Sequence, residues 1–140
     1  MKGNGIIMAR LFNVVVFDDM ISGANASPAI YYSAREHQAL LGSVDTLNVQ
    51  VLVDAIGTAS TSVTVTYETS NTGGDLEREW KTTAKTVTVT PVGFTSSDLP
   101  AMAFLLVDGS VDLGAFGRFS ITTDKNSPCK VRIVVCGRTN

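Results

Sequence analysis

His37 is the one histidine of the chain, and it stands in Arg35-Glu36-His37-Gln38 without the neighbours that nucleophilic catalysis requires. A Ser-His-Asp triad needs an imidazole oriented by a carboxylate beside an exposed hydroxyl, and no Gly-x-Ser-x-Gly turn is there to present one. Paired carboxylates can cleave glycosidic bonds. The pairs in this chain are Asp18-Asp19, at the end of an apolar run where carboxylates satisfy turn amides, and Glu77 with Glu79, two apart and so on one solvated face of an extended segment. Asp108-Gly109-Ser110-Val111-Asp112 begins like a calcium loop, but the bidentate glutamate that should follow is missing, so it reads as a turn. Zinc requires clustered Cys and His ligands; Cys129 and Cys136 stand at the two ends of one stretch, and His37 is distant from both. The expectation is therefore a protein that is not an enzyme, with no metal and no cofactor.

The remaining reactive or recognition-capable groups have plain readings as well. Cys129 and Cys136 flank Lys130-Val131-Arg132-Ile133-Val134-Val135. Seven positions along a strand span roughly 23 Å and send the two thiols to opposite faces, so a disulfide between them is excluded. Free thiols in a reducing compartment are expected. Trp80, Tyr31 and Tyr32 are candidates for a sugar-stacking platform. The competing reading of Trp80, which opens a strand after a turn, is a plug in one end of a sandwich.

Those residues hang on a pattern of period two. Val63-Thr64-Val65-Thr66-Tyr67 alternates apolar and polar, as do Val87-Thr88-Val89-Thr90 and Val49-Gln50-Val51-Leu52-Val53. Such alternation gives a strand one dry and one wet face. The core is expected from Val49, Val51, Val53, Val63, Val65, Val87, Val89, Ile133 and Val135. Residues 11–17 form a near-continuous apolar run, read as a first strand buried on both faces and closed by Asp18-Asp19. Residues 29–33, 46–56, 61–69, 85–90, 102–107, 115–122 and 131–135 are further strand candidates. Residues 34–41 fit either a helical turn or a continuing strand. Ser70-Asn71-Thr72-Gly73-Gly74-Asp75 is the strongest turn, because paired glycines tolerate positive φ. About eight strands separated by turns predict an all-β antiparallel sandwich, jelly-roll-like, in two four-stranded sheets.

The chain has 140 residues, 44% of them hydrophobic, enough for one cored domain. Only 17% are charged and the net charge is -2. Thr and Ser replace charge on the wet faces, which suits a surface that a neighbour partly covers, since a hydroxyl is cheaper to desolvate than an ion. No basic footprint for nucleic acid is present, and no run of about 18 apolar residues spans a membrane. Residues 1–10 read as an arm, with Gly3 and Gly5 before an apolar Ile6-Ile7-Met8, and residues 11–140 as the sandwich. The apolar centre of the arm is too short for a signal peptide, so synthesis in a cytoplasm is expected. Ile6, Ile7, Met8 and Trp80 are the candidate partner contacts.

Residues 47–58, a long strand and short turn, lead into Val63-Thr64-Val65-Thr66-Tyr67-Glu68-Thr69-Ser70-Asn71, a polar turn and Trp80. The chain closes with Gly114-Ala115-Phe116-Gly117-Arg118-Phe119 and a last strand ending Gly137-Arg138. Over residues 47–138 this arrangement resembles small virion proteins of tailed bacteriophages, and with the short arm it is most similar to the capsid cement (decoration) proteins. The resemblance implies a jelly roll on the outside of an icosahedral shell, made in the host cytoplasm. Its partners would be the major capsid protein and other copies of itself. It transfers no catalytic or contact residue. The alternative is a tail- or fibre-associated or carbohydrate-binding β-sandwich module.

Overall fold

The computed structural model describes residues 9–21, 30–55, 62–90, 101–109, 114–123 and 128–139. Eight strands carry the chain: β1 (Ala9–Ile21), β2 (Ile30–Tyr32), β3 (Thr46–Ala55), β4 (Val63–Ser70), β5 (Lys81–Val89), β6 (Ala101–Val107), β7 (Phe116–Thr123) and β8 (Cys129–Thr139). Between β2 and β3 the chain makes a 3-10 turn, Arg35–His37, and one α-turn, α1 (Gln38–Leu41). This settles residues 35–41 as helical, with Ala34 still extended. A second 3-10 turn, Glu77–Glu79, precedes β5. No described helix is long and apolar enough to cross a membrane.

The strands form two antiparallel sheets, in the orders β1-β8-β3-β6 and β2-β7-β4-β5. Each strand of the first half pairs with its mirror in the second: β1 with β8, β2 with β7, β3 with β6, β4 with β5. That is one long hairpin of nested pairs rolled into a sandwich, the jelly roll.

Period two explains the interior. Val49, Val51 and Val53 of β3, Val131, Ile133 and Val135 of β8, Val63, Val65 and Tyr67 of β4, and Phe119 and Ile121 of β7 are all fully buried between the sheets. The intervening threonines point outward and link across β4 and β5, Thr64 to Thr88 at 3.0 Å and Thr66 to Thr86 at 2.9 Å. Val89 is buried, but Val87 is only half-buried, because β5 is the edge of its sheet. Two close approaches need glycine. A Cβ on Gly117 would fall on the Tyr67 hydroxyl, and one on Gly137 on the Phe12 ring, so each aromatic ring lies across a bare stretch of neighbouring backbone.

The first strand departs from its sequence reading. β1 is an edge strand, not one buried on both faces: Leu11 and Met20 are about half exposed. Nor do Asp18-Asp19 close it. The strand runs on to Ile21: Asp18 lies on the outer face, opposite Arg132 and 3.7 Å from Lys130 Nζ, while Asp19 falls on the other face opposite Val131, and both carboxylates stay exposed because the strand is an edge. It also begins at Ala9, which pairs with Thr139, so Ala9 and Arg10 belong to the sheet rather than to the arm.

Candidate functional site

Two features of the surface stand out from ordinary β-sandwich exteriors. The first is a stacked cluster on the outer face of the β2-β7-β4-β5 sheet. Glu68 of β4 and Arg118 of β7 are register partners, and both side chains point away from the core. Arg118 Nε donates to Glu68 Oε1 at 2.8 Å, with the two side chains only 4% and 11% exposed. What buries them is aromatic. The guanidinium carbon lies 3.9 Å from the Tyr32 ring centre and 4.5 Å from that of Trp80, so the cation is held between two π faces. Arg118 Nη2 is buried without a hydrogen bond among the described residues; the flanking rings leave it little room for one. Tyr32 donates to Glu77 Oε1 at 2.9 Å. Burial first, and then that hydrogen bond, hold the Tyr32 phenol above its ordinary range.

The turn beside this cluster is locked by side chains. Gly73 and Gly74 adopt φ of 69° and 88°, as their pairing in the sequence predicts. The Gln38 amide of α1 grips Gly74 twice, accepting from its N–H at 2.8 Å and donating to its carbonyl at 3.0 Å. Trp80 Nε1 donates to the same carbonyl at 3.1 Å. Trp80 is thus a clamp between turn and arginine rather than a plug in the core, and it is 9% exposed. Tyr31 faces the other way and packs edge-on against Phe17, with ring centres 6.4 Å apart. The three aromatic residues therefore share no platform on which a sugar could stack.

The second feature is apolar. Among the described residues the large exposed hydrophobic side chains are Leu11, Met20, Ile30, Leu76, Met102, Phe104 and Leu106. All but Leu76 lie on edge strands: Leu11 and Met20 on β1, Ile30 on β2, and the remaining three on β6. On β6 they occupy alternate positions, 53%, 59% and 51% exposed, and form one continuous stripe. Ala101, Ala103, Leu105 and Val107 take the opposite side, toward the core. Beside the stripe β3 presents Asn48, Gln50 and Leu52, opposite Leu106, Phe104 and Met102. Gln50 Nε2 lies 2.9 Å from Met102 Sδ. Exposed apolar surface concentrated in one stripe marks a contact face.

Of the contacts expected from sequence, Trp80 is 9% exposed and covers Arg118 on the outer face, and Ile6, Ile7 and Met8 lie outside the described residues. The β6 stripe is not legible in the sequence. Residues 101–107 are apolar at every position, and from sequence alone that run is indistinguishable from a strand covered on both faces. Both cysteines are free; Cys129 is buried, Cys136 half-buried on the other face of β8. Burial pushes the Cys129 thiol up. No group of three or more His, Cys, Asp or Glu side chains that could hold a metal occurs among the described residues. A scan against protein-family models finds no match, and a search of curated proteins finds none either.

Proposed function

We propose that this protein is a structural component of a virion: a cement protein that binds the outside of an icosahedral phage capsid and ties neighbouring major capsid subunits together, alongside other copies of itself. The observation that carries the reading is the distribution of large exposed apolar side chains, which among the described residues fall, Leu76 apart, on three of the four sheet edges. Edges with apolar side chains are docking elements, able to add a neighbour's strand or lie against its surface. A shell under pressure from packaged DNA gains from many such small contacts acting together. The resemblance of residues 47–138 to phage cement proteins supplies the particular partner.

The arm tests it. Residues 1–8 precede β1, so their removal spares every described strand. The full chain should co-sediment with expanded capsids at a copy number that matches capsid subunits rather than tail. The chain lacking residues 1–8 should melt at an unchanged temperature and bind capsids more weakly. Failure of the full chain to bind expanded capsids, or a copy number matching the tail, would overturn the reading.

A further inference from the structure

We infer that β6 is a homodimer contact, in which two copies pair their β6 edges antiparallel across a two-fold axis at Phe104 and join their β1-β8-β3-β6 sheets into one. This names the surface for the self-association in the proposed function, and rests on that reading only there.

The four sheet edges are not equivalent. β1 carries Asp18 and Asp19 and has two register shifts against β8. β2 is three residues long. β5 carries Lys81 and Lys85 and has a register shift against β4. Short length, charge and bulges are the devices by which sheets refuse extra strands. β6 has none of them: it is seven residues, Ala-Met-Ala-Phe-Leu-Leu-Val, uncharged throughout and in unbroken register with β3.

Its sequence also suits a copy of itself. In an antiparallel pair centred on Phe104, Met102 of one copy meets Leu106 of the other, Ala103 meets Leu105, and Ala101 meets Val107. Outward residues face outward ones, and inward face inward, as an isologous two-fold contact requires. No like charges are brought together, since Asn48, Gln50 and Leu52 of β3 beside the stripe are uncharged too. At roughly 200 Å² per large side chain, the exposed halves of Met102, Phe104 and Leu106 in both copies hold on the order of 650 Å² of apolar surface, of which in-plane pairing covers only the flanks. Specific contacts need about 1,200 Å² or more. The paired backbones and flanking side chains must supply the rest, which places the dimer at the weak, reversible end.

Sedimentation velocity of the full chain over a range of micromolar concentrations tests this. A concentration-dependent dimer is expected, with slowed hydrogen exchange at β6 amides on association. Phe104→Lys puts two ammonium groups opposite each other on the axis and should raise the dissociation constant at least about tenfold. Phe104→Thr keeps strand propensity and should weaken the dimer with no loss of fold, which circular dichroism would check. A wild-type chain that stays monomeric, a dimer unmoved by either substitution, or unchanged exchange at β6 would each overturn the inference. Capsid co-sedimentation of the same variants separates this failure from failure of the cement reading, because a monomer that still binds capsids refutes only the β6 contact.

Discussion

Replacing Glu68 with leucine should be among the most damaging single changes on the outer surface of this sandwich. The substitution removes the acceptor 2.8 Å from Arg118 Nε, while the guanidinium stays wedged between Tyr32 and Trp80 with Nη2 already lacking a partner among the described residues. With Arg118 only 4% exposed, water cannot readily replace the carboxylate. Stranding a buried charge in this way costs about 3–5 kcal/mol, a large part of the roughly 5–15 kcal/mol that holds a domain together. Arg118→Leu forfeits the two π contacts, each about 0.5–2 kcal/mol, and leaves Glu68, whose side chain is 11% exposed and nearer water. The double substitution strands nothing. Its cost should fall well below the sum of the two singles, with a coupling of about 2–3 kcal/mol. Urea unfolding at neutral pH, read by Trp80 fluorescence and by circular dichroism, gives all four corners of the cycle. Additivity within about 0.5 kcal/mol, or a Glu68→Leu loss below about 1 kcal/mol, would refute the claim that the carboxylate holds the stacked arginine in place.

Two further outcomes follow from buried titratable groups. Burial pushes the Tyr67 phenol up to about 12 from 10.0, so the folded state keeps its proton where the unfolded chain loses it. Stability from this group is complete below pH 10 and falls as pH rises toward 12, by about 3 kcal/mol in all; Tyr67→Phe, which also removes a buried hydroxyl with no partner among the described residues, should flatten that alkaline decline in pH-dependent denaturant melts. Under native conditions iodoacetamide should modify half-buried Cys136 while sparing buried Cys129, whose thiol burial holds in the protonated form; both should react on unfolding without reductant. Mass spectrometry distinguishes the two sites.

Where one residue in two must be dry, the fold was legible in the chain itself. The valines of β3 and β4 alternate with residues that, Leu52 apart, are polar, because each sheet has one inner face, and that alternation separates Val49, Val51, Val53, Val63 and Val65 from their neighbours without any knowledge of pairing. The Gly73-Gly74 turn was legible for a similarly local reason, as two adjacent residues without a Cβ can both take positive φ. Edges were not legible. Whether the apolar run of 101–107 is covered on both sides depends on whether a strand lies beyond it, and that is a property of sheet order. For the same reason neither the exposure of β1 nor its run past the carboxylates is legible: only at an edge can Asp18 and Asp19, which point to opposite faces, both stay exposed within a strand. The Arg118 cluster joins Tyr32, Glu68, Trp80 and Arg118 from four separate parts of the chain. Nothing in their local spacing brings them together; the β4–β7 register does.

The nesting of the strand pairs sets a schedule for how the molecule is made. The innermost pair, β4 with β5, can close as soon as Val89 has been synthesised opposite Val63, but Val14 must wait for Val135. β8 also lies between β1 and β3, so until β8 has been made β1 has no partner in the first sheet and β3 is paired on one side alone. Until then β1 and β3 present unsatisfied backbone on the sides that β8 will occupy. A topology so dominated by distant pairings folds slowly. In that interval neighbouring nascent chains could exchange strands. Truncation at the C-terminus therefore splits the first sheet into separate pieces, whereas an equally short truncation before Ala9 leaves both sheets whole.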